Sequence, residues 1–243
     1  MNELHLQDKF LIPFFRESLV YKEVKANTVT QALIIEEDLQ AFITASSLNQ
    51  KPYEILLKKY KGDKKALLQE LMTLIAERIA SSRNMALFIN ANKSITLQGI
   101  KLHLFYTSDS VIHGNALFDE NIFSVVQELP YKFNYQGSQI FSFRPDLVMF
   151  VNGIYLGYSE LKSNWNSQTA LKNGRGKVMK DYQNAVQQYL VVADKNDTSQ
   201  SIRKDFLHIF EKAVHITSTD LSDTYVIRNV SILLDEIKQS VTD

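Results

Sequence analysis

IFSFRPDLVMFVNGIYLGYSELK, residues 140–162, holds two runs rich in aliphatic and aromatic residues on either side of Asn152-Gly153. An Asn-Gly pair between such runs is the strongest short-range signal for a β-hairpin, because both turn residues must adopt positive φ. Leu147 to Val151 is entirely apolar, as expected of a strand buried on both faces. The hairpin therefore belongs in the middle of a sheet.

The polar residues of the hairpin carry the chemistry. Asp146 opens the first strand directly after Pro145, and Glu160 and Lys162 lie near the end of the returning one. Counted from the turn, Asp146 and Glu160 fall at similar depths on adjacent strands. Glu160 and Lys162 are two residues apart and share a face, while Leu161 points to the other. Two carboxylates at close range repel and resist ionisation in a partly buried site. A divalent cation removes the conflict; Mg²⁺ takes hard oxygen ligands and commonly uses one or two carboxylates. Such an ion polarises a phosphodiester and acidifies an attacking water, and Lys162 beside it can orient that water or offset charge at phosphorus. The competing reading is a surface Glu-Lys pair near a turn-forming Asp.

Outward from the hairpin, the chain changes period. Leu33–Ser46 reads as a short amphipathic helix. Asp63 is a fitting N-cap for a longer one that places Leu67, Leu71, Leu74 and Ile75 on one face and stops at Asn84. Lys101–Tyr106 and Ile122–Leu129 read as strands. A helix is expected from about Val178, with Tyr182, Ala185, Val186, Tyr189 and Leu190 apolar; strands over 213–217 and 224–228 and a closing helix over 232–239 follow. The pattern predicts an α/β fold, a mixed sheet covered by helices, with residues 1–60 as a helical extension and 61–243 as the core.

Composition narrows the functions. The 243 residues are 45% hydrophobic and 22% charged, enough for a sizeable core. With no cysteine, disulfides, thiolate zinc sites and cysteine nucleophiles are excluded. Net charge is zero, so any nucleic-acid contact must come from a local patch or from partners. No signal peptide and no membrane-crossing run is visible, which points to a cytoplasmic protein. The five histidines show no ligand spacing.

Asn121–Glu128, Arg144-Pro145-Asp146, Asn152-Gly153 and Glu160-Leu161-Lys162, in this order and at these distances, resemble the N-terminal nuclease domain of the R (motor and restriction) subunit of Type I restriction–modification enzymes. The resemblance implies a PD-(D/E)xK restriction-endonuclease-like core in which Asp146 and Glu160 hold Mg²⁺ and Lys162 is the catalytic lysine. It implies a metal-dependent endonuclease that hydrolyses duplex DNA. Its partners would be the specificity and methylation subunits, and its cleavage would be coupled to ATP-driven translocation. No phosphate-binding loop occurs here, so ATP would act only through motor domains outside this sequence, which is expected to be part of a longer chain. The family's Gln-x-x-x-Tyr helix motif is matched at Tyr189 but has Ala185 in place of Gln, with Gln183 and Gln187 nearby; Tyr189 and Gln187 are carried over as DNA-facing residues. Two other readings stay open: a non-catalytic docking module of the same fold, and a related nuclease acting on branched or damaged DNA.

The segment 161–180 adds Lys172, Arg175, Lys177 and Lys180 with no acid, and contains Trp165. It is expected to be a flexible loop holding the phosphate backbone. Glu70 and Glu77 are the acidic residues of the Asp63 helix available to join the site.

Overall fold

The computed structural model describes residues 7–107, 116–135, 138–162, 168–193, 207–220 and 222–227. Seven helices are described: α1 (Ile12–Glu17), α2 (Glu36–Ala45), α3 (Gln50–Lys59), α4 (Lys64–Ser81), α5 (Met85–Ala91), α6 (Arg175–Ala193) and α7 (His208–Glu211). Ten strands accompany them: β1 (Lys22–Val24), β2 (Ser94–Leu97), β3 (Ile100–His103), β4 (Phe123–Gln127), β5 (Tyr131–Tyr135), β6 (Ser138–Phe143), β7 (Leu147–Val151), β8 (Ile154–Leu161), β9 (His215–Thr219) and β10 (Thr224–Ile227). Six of them form one mixed sheet in the order β1-β4-β7-β8-β9-β10. The β2–β3 and β5–β6 hairpins are separate ribbons.

The expected hairpin is the centre of this sheet. Asn152 and Gly153 have φ of 49° and 77°, the double positive φ of a type I′ turn. Glycine is required at the second position for a further reason: a Cβ there would lie 2.3 Å from the Ile35 carbonyl oxygen. That approach lets Ile35 N–H donate to the Gly153 carbonyl at 2.8 Å. The Asn152 side chain is buried, accepts from Ile122 N–H and donates to the Leu104 carbonyl, so the turn is pinned from three sides.

The hairpin is not regular. Val151 pairs with Ile154 and Phe150 with Tyr155, but Met149 pairs with Gly157, so Leu156 is an extra residue in β8. The bulge advances every later pair by one, ending at Leu147 opposite Ser159. One step beyond, Asp146 comes opposite Glu160; without the bulge it would face Ser159, and the two carboxylates would lie on opposite sides of the sheet. The depth count from the turn is therefore correct only because of this insertion.

Residues 1–60 supply the edge strand β1, parallel to β4, as well as helices. The long helix α4 is capped by the Asp63 carboxylate, which accepts from Ala66 N–H, and it ends at Ser81 rather than Asn84. Asn84 instead caps α5, accepting from Leu87 N–H. Helix α6 starts at Arg175, earlier than expected from the apolar pattern, and follows directly on a wide helical turn over Ala170–Gly174. The closing helix expected over 232–239 lies outside the described residues.

The face of the sheet that carries Glu160 is held by an aromatic cluster. Phe210 of α7 contacts Phe143 of β6 at 5.0 Å, Tyr182 of α6 at 5.4 Å and Tyr158 of β8 at 6.2 Å between ring centres. Tyr158 is two residues from Glu160 and Tyr182 is next to Asp181, so one ring cluster fixes both the strand and the helix that meet over the carboxylates. Phe210→Ala should lower the unfolding free energy by about 3–5 kcal/mol, as expected of a fully buried aromatic truncated in a packed core; urea denaturation measures it.

Candidate active site

Glu160 sits on β8, between β7 and the parallel strand β9, with no exposed surface. Its position on a central strand under α6 is what desolvates it. Burial, reinforced by the neighbouring Asp146 carboxylate, pushes the Glu160 carboxyl up to about 8, while Lys177 and Lys162 pull it back. Asp146 is oriented by backbone: its Oδ2 accepts from Leu161 N–H at 2.7 Å. Its own carbonyl oxygen accepts from Glu128 N–H and from the Gln7 side-chain amide. Leu161 points to the far face, where it packs with Ile12, Val125 and Leu147. The alternation expected along β8 is thus observed.

Lys162 is buried beside Glu160, its ammonium donating to the Leu161 carbonyl at 2.6 Å and lying 3.8 Å from Glu160 Oε2. A second lysine is closer. Lys177, near the start of α6, donates to Glu160 Oε2 at 2.6 Å. Burial alone would pull Lys177 down, but Glu160, Asp146 and Asp181 outweigh it and raise it. The close approach of α6 to β8 depends on Gly174: a Cβ there would overlap the Ser218 side chain and come 3.2 Å from Lys162 Cγ.

Asp146, Lys177 and Asp181 line a polar cleft of about 460 Å³, together with Gln7 and Arg144. Two buried oxygens at the site have no hydrogen-bond partner, Glu160 Oε1 and Asp181 Oδ2. An orphaned buried carboxylate oxygen costs free energy unless something fills it. Paired with a second carboxylate, it matches the hard-oxygen preference of Mg²⁺. Among the described residues no group of three or more His, Cys, Asp or Glu is arranged to hold a metal. The protein would therefore offer Asp146 and Glu160 and leave the remaining positions to water and substrate.

Other sequence-predicted residues fall elsewhere. The segment expected as a flexible loop is, from Ala170 onward, a helical turn running into α6. Lys172 and Arg175 are exposed there, whereas Lys177 is directed to Glu160. Trp165 lies outside the described residues. Gln187 is exposed and Tyr189 packs against the main core. They lie 10 and 12 residues beyond Lys177, about 15 and 18 Å along the helix, so the structure does not bring them to the carboxylates. Ala185, where the family pattern has Gln, is fully buried. Glu70 and Glu77 are exposed on α4, with Glu70 accepting from the Gln98 amide, and neither joins the site. Asp181 was missed; its signal was the four-residue spacing from Lys177, which places both on one helix face.

A family model described as Type I restriction enzyme R protein N terminus matches residues 1–203, a span that takes in every described element from α1 through α6. The chain belongs to this family. No curated protein and no solved structure matches it. The resemblance drawn from residues 121–162 is thereby extended to most of the chain, and the six-stranded mixed sheet with flanking helices agrees with a restriction-endonuclease-like core. Among the described residues no helix is long and apolar enough to cross a membrane.

The electrostatics give a pH signature. Glu160 is raised from its usual 4.5 to about 8, so between these values the folded chain holds a proton that the unfolded chain has lost. Its contribution therefore lowers stability as pH rises through that window and levels off above it. In chelator, Glu160→Gln should remove this part of the slope and be more stable than wild type at about pH 8.5. Urea unfolding of both proteins across the window checks the sign.

Proposed function

We propose that this chain is the metal-dependent endonuclease part of a Type I restriction enzyme R subunit, hydrolysing phosphodiester bonds of duplex DNA. The observation that carries the reading is the juxtaposition of Asp146 with the buried Glu160, whose Oε1 has no partner, on one face of the sheet beside Lys162. Family membership supplies the context.

Asp146 and Glu160 would hold Mg²⁺, which when bound supplies Lewis-acid activation of the phosphodiester and of a water. Asp146 is held ready by the Leu161 N–H, which fixes its rotamer before any ligand arrives. Glu160 must release its proton to serve as a ligand, and the nearby lysines favour that ionised form. Lys162 Nζ, held on the Leu161 carbonyl, stands at the edge of the carboxylate pair; there it would orient the attacking water and offset charge developing on phosphate oxygens. Arg144, on the cleft wall and exposed, together with Lys172 and Arg175 at the entry to α6, would contact the phosphate backbone without reading sequence. A chain of zero net charge has no overall electrostatic attraction for DNA. Duplex engagement is accordingly assigned to the assembly: motor domains using ATP, and the specificity and methylation subunits, in the cytoplasm.

In the reconstituted restriction complex, Lys162→Ala should reduce DNA cleavage by at least about 100-fold, the scale of losing one transition-state charge partner. ATP hydrolysis and translocation should persist. Equal cleavage by wild type and variant would exclude the proposed site; loss of translocation together with cleavage would instead support a docking role for the domain.

A further inference from the structure

The contact between Lys177 and Glu160 favours the ionised carboxylate, but it also occupies an oxygen that a metal would use. Lys177 Nζ lies 2.6 Å from Glu160 Oε2, closer than Lys162 at 3.8 Å. The lysine satisfies only half of the carboxylate, since Glu160 Oε1 is buried without a partner. A divalent cation bound at Glu160 would sit within a few ångströms of this ammonium, and like charges at that range in a buried site repel strongly. Lysine has a flexible four-carbon stem, and the Lys177 side chain is 39% exposed, so it is not enclosed on every side.

Asp181 offers the place to go. It stands four residues along α6, so the two side chains are neighbours on one helix face. Both line the cleft. Its Oδ2 is buried and has no hydrogen-bond partner. The charge of Asp181 already acts on Lys177. One movement of the ammonium would thus free Glu160 for metal and satisfy the orphaned oxygen of Asp181.

We propose that Lys177 is an internal cation that locks the metal position in the resting chain, and that Asp181 receives it when a divalent cation binds. The inference rests on the Asp146–Glu160 metal site proposed above. It makes Lys177 and Asp181 positioning residues, neither of them a metal ligand, and it gives the site a closed state that does not gather metal on its own. The partner that opens it would be the metal together with the DNA phosphate that shares its coordination.

The direct test is a crystal structure of the chain with Mn²⁺ and a non-cleavable duplex, located by anomalous scattering. The expected result is Mn²⁺ on Asp146 and Glu160 with Lys177 Nζ hydrogen-bonded to Asp181. Mn²⁺ there with Lys177 still on Glu160, or with Asp181 as a ligand, overturns the lock while leaving the metal site standing. No Mn²⁺ at these carboxylates overturns both readings. A calorimetric Mn²⁺ titration in the presence of that duplex separates the roles further. Asp181→Asn should weaken binding roughly 10-fold, the usual cost of losing a supporting partner. In a Lys177→Met background the same change should have no effect. Equal weakening in both backgrounds makes Asp181 a ligand and contradicts the proposal. Circular dichroism of each variant guards against loss of fold.

Discussion

One extra residue in β8 sets the geometry of the whole site. The bulge at Leu156 converts a hairpin in which Asp146 would face Ser159 into one in which it faces Glu160. Everything that holds the bulge is therefore part of the site's support. The Leu156 carbonyl accepts from Val214 N–H at 2.6 Å, tying the bulge to the entry of β9. Gly157, next to it, leaves room for the His215 carbonyl, which a Cβ would meet at 2.2 Å. The turn at the other end is fixed by Asn152 and Gly153 against Ile122, Leu104 and Ile35. With both ends anchored, the register cannot slip without moving Asp146 and Glu160 apart.

The second constraint is electrostatic. Placing a glutamate on a central strand under a helix removes it from water, and a second carboxylate beside it makes ionisation harder still. Lys162 and Lys177 partly offset this, at 3.8 Å and 2.6 Å, yet one oxygen of the glutamate stays unpartnered. A purely structural ion pair has little reason to leave such an atom in place. The same argument extends to Asp181, whose buried oxygen is likewise empty-handed. The cluster is a charge arrangement that fits the proposed metal site.

The central hairpin, its Asn-Gly turn and the shared face of Glu160 and Lys162 were legible in residues 140–162, because each follows from the period of two and from turn chemistry; the similar depths of Asp146 and Glu160 were read as well, but their lying directly opposite each other depends on the bulge. Family membership was legible in the same stretch. The bulge was not read, although the isolated Gly157 within an apolar strand is the kind of residue that marks one. The β5–β6 ribbon was not read, although Tyr131–Tyr135 alternates apolar and polar residues; β1 was missed because three residues carry little periodic signal, and it gains its place only by pairing with β4, about a hundred residues away in sequence. Lys177 was taken for a DNA-facing loop residue because composition shows charge but not direction; only the packing of α6 through Gly174 turns it toward Glu160. Tyr189 and Gln187 were carried over by motif spacing, and the length of the helix separates them from the carboxylates.

The account stands on Asp146 and Glu160 acting as one metal site. The most direct measurement is Mn²⁺ binding by electron paramagnetic resonance, with wild type, Asp146→Asn and Glu160→Gln compared in the presence of a non-cleavable duplex. A single class of bound Mn²⁺ in wild type, lost in both variants while their folds are intact, is the predicted result. Binding that survives either substitution, or none in wild type at millimolar metal, would contradict it.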